Sequence, residues 1–372
     1  MRQALQLAKK GEGKVSPNPM VGCVAVKNGV VIAAGCHEKY GGFHAERNAL
    51  LNCKEDPEGA ELYVTLEPCC HYGKTPPCTE IIIEKKIKKV YVGCLDSNPK
   101  VAGKGVQILR EHGIAVETGI LEQECRDLNE VFFHYMETKM PFLAMKYAMT
   151  LDGKIACETG DSKWVTGEAS RDYVQCLRNR YRGIMAGIGT VLADDPMLNC
   201  RMEGGRNPVR IICDSRLRIP CGSQIVQTAS EIETIVAWSP NRALAWREQE
   251  ISKTLEEKQR DLENSGVILL EVPPKENGEL ELSHLLRQLG ERGVDSILLE
   301  GGGTLNASAL KENLVQRVYA FIAPKLVAGA NAKSPIEGAG ISRMKDAVAL
   351  KDVEVTGFGG DICMTGKVAK KR

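Results

Sequence analysis

The chain has 372 residues, with 49 Lys and Arg set against 48 Asp and Glu. That balance supplies no global field for nucleic acid or a membrane surface, although a local cationic pocket for a phosphorylated small molecule stays compatible with it. The length exceeds what one core usually fills, which predicts two domains, and no stretch is apolar enough for a signal peptide or a bilayer span, so a cytoplasmic protein is expected.

From the N-terminus, Arg2 to Lys10 reads as a helix and Gly11 to Pro19 as a loop rich in Gly, Pro and Asn. Val21 to Val26 and Val30 to Gly35 read as strands joined by Asn28-Gly29, a strong two-residue hairpin signal. A helix is expected from near His44, a strand over Leu62 to Leu66 and a helix after Cys78. Strand Lys89 to Leu95, helix Gly105 to His112, strand Ile114 to Glu117 and helix Leu121 to Met136 complete an alternating α/β unit. Glu137 to Pro141 is the best boundary, and a second alternation starts at Phe142. Within it, Asn241 to Asn264 is dense in charge and lacks Gly and Pro, which predicts a solvated surface helix. The 14 cysteines are scattered; Cys23, Cys36, Cys94 and Cys213 sit in apolar surroundings and read as buried free thiols.

The chemistry concentrates in His44-Ala45-Glu46, Pro68-Cys69-Cys70 and Pro77-Cys78. One imidazole and two thiolates leave the fourth tetrahedral position of Zn²⁺ open for water, as in a catalytic rather than a structural site. In zinc nucleobase deaminases the Glu of His-x-Glu is not a ligand but carries protons between the water and the leaving amine, and Pro-Cys-x-x-Cys supplies the thiolates. Here eight residues separate Cys69 from Cys78, so the signature carries an insertion. Cys70 competes with Cys69 on sequence grounds, but the motif places the ligand directly after Pro68. All three ligands are expected at or just before helix N-termini, which favour thiolates. In the second half, strand Ser296 to Glu300, turn Gly301-Gly302-Gly303-Thr304 and a helix from Leu305 form a place to hold phosphate, as does the turn Gly187-Ile188-Gly189-Thr190. Neither matches the Gly-x-Gly-x-x-Gly fingerprint of a Rossmann unit.

These residues resemble the bifunctional deaminase-reductase family of riboflavin biosynthesis over essentially the whole chain. The resemblance rests on Ser16 to Val24, on Gly42 to Glu46 and on Thr65 to Cys78 with its long gap. Lys146 to Ala156, Asp194 to Leu198 and Leu299 to Thr304 carry it into the second half. It implies a cytidine-deaminase-like three-layer α/β/α domain over residues 1–138 and a dihydrofolate-reductase-like α/β domain over residues 139–372. The implied activities are zinc-dependent deamination of 2,5-diamino-6-(5-phosphoribosylamino)pyrimidin-4-one and then NADPH-dependent reduction of the ribosyl side chain. A homo-oligomer, dimer or tetramer, is implied as well.

On the same resemblance His44, Cys69 and Cys78 hold the zinc, Glu46 is the proton shuttle, and Asn18, His37, His71 and Lys74 contact the pyrimidine or its phosphorylated ribose. In the reductase half Ser162, Arg178, Leu198, Arg201 and Glu300 fall at substrate positions, with Arg178 and Arg201 suited to the phosphate. Ala148, Trp164, Thr190, Asp194, Ser215, Gly302, Gly303, Thr304, Leu305, Asn306, Ala307 and Ser308 fall at nucleotide positions. Lys146 and Glu300 are candidates for proton transfer or orientation. The bland readings remain beside these: His37 as a surface histidine, Trp164 as core, and the arginines as solvated charges.

Overall fold

A computed structural model describes residues 1–98, 101–247 and 254–369 and divides the chain into two compact units, Met1–Lys139 and Met140–Arg372. In the first unit the elements run α1 (Arg2–Ala8), β1 (Gly22–Lys27), β2 (Val30–Cys36), α2 (Ala45–Leu51), β3 (Glu61–Leu66), α3 (Cys78–Glu84), β4 (Lys89–Cys94), α4 (Lys104–Glu111), β5 (Ala115–Thr118), α5 (Glu122–Leu128) and α6 (Glu130–Thr138). The strands form one sheet in the order β2-β1-β3-β4-β5, antiparallel at the β1 pairings and parallel from β3 to β5. Asn28 and Gly29 both take positive φ at the β1–β2 turn, as that hairpin needs. Gly22 to Ala25 are buried at every position, the pattern of a strand whose two faces are both covered. A Cβ at Gly35 would stand 2.5 Å from the backbone nitrogen of Ala49, so the bare glycine lets α2 lie directly on β2. That contact fixes the helix whose first turn carries His44 and Glu46.

The expected helix Leu121 to Met136 is broken at Asn129. This residue takes a non-helical conformation between α5 and α6, and its buried side chain receives the Met20 N–H and donates to the Met20 carbonyl. A tertiary demand overrides local propensity there.

In the second unit the elements are β6 (Phe142–Thr150), α7 (Glu168–Arg180), β7 (Gly183–Gly187), α8 (Ile188–Asp194), β8 (Val209–Cys213), α9 (Gln224–Gln227), β9 (Thr234–Trp238), α10 (Pro240–Arg247) and α11 (Leu255–Asn264). They continue with β10 (Val267–Glu271), α12 (Leu282–Glu291), β11 (Ser296–Leu299), α13 (Gly303–Lys311), β12 (Val315–Ala323), β13 (Leu350–Phe358) and β14 (Asp361–Val368). They build a nine-stranded sheet in the order β10-β9-β8-β7-β11-β6-β12-β14-β13, parallel up to β12 and antiparallel beyond it. Alternate strand residues feed two cores: Met185, Ile211 and Ile235 pack with Leu285, Leu286 and Leu289 of α12, while Ile184, Ile212 and Val236 pack with Ile225, Val226 and Leu262. The late strand β11 sits between β7 and β6, so the chain reverses direction across the sheet at that point, where open α/β sheets bind ligands at their C-terminal strand ends.

Asn241 to Asn264 is not one solvated helix. Thr254 caps α11 afresh with a full capping box, Leu262 is buried in the core, and residues 248–253 lie outside the described residues.

Candidate active sites

In the first unit, His44 is the N-cap of α2 and Cys78 the first residue of α3. Cys69 departs from the expectation for the ligands: it lies in the loop after β3, nine positions before Cys78, and reaches the start of α3 only through space. Its Sγ accepts the Cys78 backbone N–H at 3.3 Å, and its carbonyl accepts the N–H of Thr79. Nδ1 of His44 stands 3.3 Å from Cys69 Sγ and 3.5 Å from Cys78 Sγ. The three ligand atoms lie within 4.8 Å of one another, in the sole group of three or more such side chains among the described residues, and Cys70 is not in it. One nitrogen and two sulfurs without a fourth protein ligand suit an open Zn²⁺ site.

The electrostatics fit a cation. The Cys69 thiol is pushed down to about 4, chiefly by the hydrogen bond it receives from the Cys78 thiol and then by His44, while Cys78, the donor of that bond, is pushed up. The pair thus retains one proton that a dication would displace. Glu46 is 3 % exposed, and its Oε2 has no hydrogen-bond partner. Burial, then the Cys69 thiolate, raises its carboxyl to about 7. A dication at the cluster would add a charge pulling the other way.

Of the residues expected to hold the pyrimidine, the structure sets Asn18 and His37 beside this cluster. His37 is buried, not a surface residue: its Nε2 accepts from the Asn18 amide at 3.1 Å, its Nδ1 donates to the Phe43 carbonyl at 2.9 Å, and its ring lies edge-on to His44. Burial lowers its pKa, which keeps it neutral as those bonds require. Nδ1 of His71 is buried without a partner, as a group awaiting a ligand would be. Lys74 is exposed, with Nζ 4.0 Å from the centre of the Tyr40 ring.

Glu67 went unread in the sequence although it sits in the metal motif. Its buried carboxylate accepts the N–H groups of Asp96, Gly103 and Val106 and so fixes the start of α4 beneath Pro68. At Gly105 a Cβ would meet the Pro68 carbonyl at 2.1 Å, which reserves that position for glycine.

In the second unit a cavity of about 520 Å³ opens past the ends of β7, β8 and β11. Of the expected nucleotide residues, Thr190, Asp194, Ser215, Gly302, Gly303, Thr304, Leu305 and Ser308 line it, and Ser162, expected at the substrate, lines it too. A side chain at Gly302 would meet nothing within 4 Å, so the backbone there is open to the cavity just before α13. That opening and the volume suit a dinucleotide whose diphosphate takes the helix N-terminus.

Four expected nucleotide residues do not line the cavity. Asn306 is fully buried and spends its amide on the carbonyls of Gly301 and Pro335, Ala307 lies on the side of α13 facing Gly338, and Ala148 lies within β6 opposite Phe321. Trp164 is neither core nor lining: it is 64 % exposed, with the Arg171 guanidinium over its ring.

Arg178 is not a waiting phosphate ligand. It donates Nε and Nη2 to the two oxygens of Glu300 at 2.8 and 3.1 Å and Nη1 to the Asn199 carbonyl. Lys146 approaches Glu300 at 3.5 Å. Burial would raise the Glu300 carboxyl, but Arg178 and Lys146 outweigh it and hold it down at about 2, so it orients cations and does not donate a proton near neutrality. Leu198 packs in the core with φ at 46°, and Arg201 is exposed. Among the described residues no disulfide forms; Cys23, Cys36 and Cys94 are buried as expected, whereas Cys213 is half-buried on the cavity wall.

Residues 1–94 match the family model for the cytidine and deoxycytidylate deaminase zinc-binding region, and residues 141–364 match that for the RibD C-terminal domain. The chain is 52 % identical to the riboflavin biosynthesis protein RibD of Actinobacillus pleuropneumoniae, over 98 % of this chain and 93 % of that one. The chain belongs to the RibD family. Among solved structures, the diaminohydroxyphosphoribosylaminopyrimidine deaminase/5-amino-6-(5-phosphoribosylamino)uracil reductase of Thermotoga maritima superposes with a TM-score of 0.84 at 38 % identity, covering 99 % of this chain and 97 % of that one. RibD of Acinetobacter baumannii superposes at 0.85 and 37 % identity, over 99 % and 98 % of the two chains. The RibD family joins a zinc-dependent deaminase to an NADPH-dependent reductase in riboflavin biosynthesis, and this chain is such a bifunctional enzyme. No helix among the described residues is long and apolar enough to cross a membrane.

Proposed function

We propose that the first unit releases ammonia from 2,5-diamino-6-(5-phosphoribosylamino)pyrimidin-4-one and that the second reduces the ribosyl side chain of the product to ribityl phosphate. The convergence of His44, Cys69 and Cys78 beside the unpaired Oε2 of Glu46 carries this reading. Those three residues hold the zinc, which when bound supplies Lewis-acid activation of water. Glu46 takes the proton from that water and returns it to the departing amine, a transfer suited to a carboxyl poised between solvent and a dry pocket. Neutral His37 holds Asn18 for the ring edge, His71 offers its unpaired nitrogen to the substrate, and Lys74 meets the phosphate.

In the second unit the cavity lined by Thr190, Ser215, Gly302 and Gly303 would hold NADPH, which when bound would supply the hydride that reduces C1′ of the sugar. Glu300, itself held by Arg178, keeps Lys146 in place, and Lys146 hands a proton to the ring oxygen as the sugar opens. The enzyme works as a cytoplasmic homo-oligomer, a dimer or tetramer; cysteines that form no disulfide among the described residues support a reducing compartment.

Chelator-treated enzyme should lose zinc and ammonia release together while still oxidising NADPH on separately supplied deaminated substrate. Ammonia release that persists at undetectable zinc would overturn the reading of the first unit.

A further inference from the structure

The cavity of the second unit has a built-in discriminator between the two nicotinamide dinucleotides, in the loop that follows β8. Asp214 and Ser215 leave the end of that strand, and Arg218 returns to line the cavity opposite the Gly302–Gly303 turn. Only β7 stands between β8 and β11, so the loop and the start of α13 are about two strand spacings apart, roughly 10 Å. A diphosphate at α13 would therefore leave its ribose within reach of the loop.

The loop's one carboxylate is withdrawn from the cavity. Asp214 is fully buried, and one of its oxygens accepts the Ile219 N–H at 2.7 Å. Where a dinucleotide site selects the form without a 2′-phosphate, an acid at this kind of strand end binds the free ribose hydroxyl and repels phosphate. Here the acid faces the backbone and cannot reach a ribose. The arginine is left poorly satisfied: Nε of Arg218 is buried without a hydrogen bond, and the second Asp214 oxygen, also unpaired, stands 3.9 Å away. That spacing is too long for a hydrogen bond but near enough to aim the guanidinium. Three other carboxylates line the cavity: Glu279 bonded to Ser308, Glu337 lying over Gly303, and Asp194 at the end of α8, none of them in the loop after β8.

We infer that Arg218 is the specificity-determining residue that selects NADPH over NADH, its guanidinium taking the ribose 2′-phosphate beside Ser215. The inference rests on reading this cavity as the dinucleotide site. Lys333 is the other cation on the rim, and a compact ammonium there could hold the same phosphate without paired donors.

The test is calorimetric binding, without turnover, of NADPH, NADH, 2′,5′-ADP and 5′-AMP to the full chain and to Arg218→Gln, Arg218→Lys and Lys333→Ala. Arg218→Gln should weaken NADPH and 2′,5′-ADP about 10- to 100-fold and leave NADH and 5′-AMP within about twofold, the loss of a charge-assisted pair. Arg218→Lys should fall between it and the unchanged chain, and Lys333→Ala should keep the preference. The inference is overturned if Arg218→Gln retains the preference, if it weakens all four ligands alike, or if the preference vanishes in Lys333→Ala instead. Failure of the unchanged chain to bind either dinucleotide would overturn the reading of the cavity itself.

Discussion

The deaminase unit gathers four side chains of reactive types, His44, Glu46, Cys69 and Cys78, on two helix starts and one loop. The reductase cavity is walled instead by backbone turns and small side chains, Gly302, Gly303, Thr190 and Ser215 among them, while elsewhere in that unit Arg178 and Glu300 are committed to each other. One site states its reaction through residue chemistry; the other states mainly a shape and an electrostatic sign. The difference follows from the tasks, because water must be activated by protein groups, whereas a hydride donor brings its own chemistry and needs positioning.

The sharpest way to break this contrast is Glu46→Gln. Ammonia release should fall about 10²- to 10⁴-fold, the usual range for a lost general acid–base. Bound zinc, read by atomic emission, should be unchanged, as should NADPH oxidation with deaminated substrate. A parallel fall in reduction would mean that the two sites are not independent and that the contrast drawn here is false.

The next largest effect belongs to Glu300→Gln, which leaves Arg178 buried and underpaired. Breaking a buried ion pair from one side costs about 3–5 kcal/mol, read as an earlier urea transition of the second unit at pH 7. The Glu300 carboxyl is depressed, from the ordinary 4.5 to about 2. A depressed carboxylate contributes stability that is complete above its unfolded value and lost as pH falls through the folded one. The gap between the two proteins should therefore narrow between about pH 4.5 and 2. A gap constant across that range would show that the ionised carboxylate is not what holds Arg178.

Legibility in the sequence follows the same division. The convergence of His44, Cys69 and Cys78 was readable because few residue types bind zinc and their spacing is local to short motifs. The β1–β2 hairpin was readable because only certain residues tolerate the positive φ found at Asn28 and Gly29. What stayed hidden depends on partners far along the chain. Arg178 and Glu300 meet across 122 positions, so a guanidinium expected to await phosphate is already spent. Asn306 and Leu198 fall at positions assigned by resemblance, and the structure adds contacts that periodicity does not report: Leu198 packs in the core and Asn306 bonds the Pro335 carbonyl. Arg218 lies in none of those motifs; only the strand order brings its loop to the cavity that the glycine turn also lines.

Asn129 gives the smallest effect and the finest test, because it is a long-range partner that belongs to the legible site. Its amide holds both backbone groups of Met20, two residues after Asn18, across 109 positions. Asn129→Ala would leave a buried N–H and carbonyl unpaired, a loss of about 2 kcal/mol seen in the urea transition of the first unit. Because the loop leading to β1 would loosen while His44, Cys69, Cys78 and Glu46 stay in place, KM for deamination should rise several-fold with kcat nearly preserved. A collapse of kcat with intact zinc would mean that the loop takes part in the chemical step, and the deaminase site would then depend on distant backbone positioning as much as the reductase cavity does.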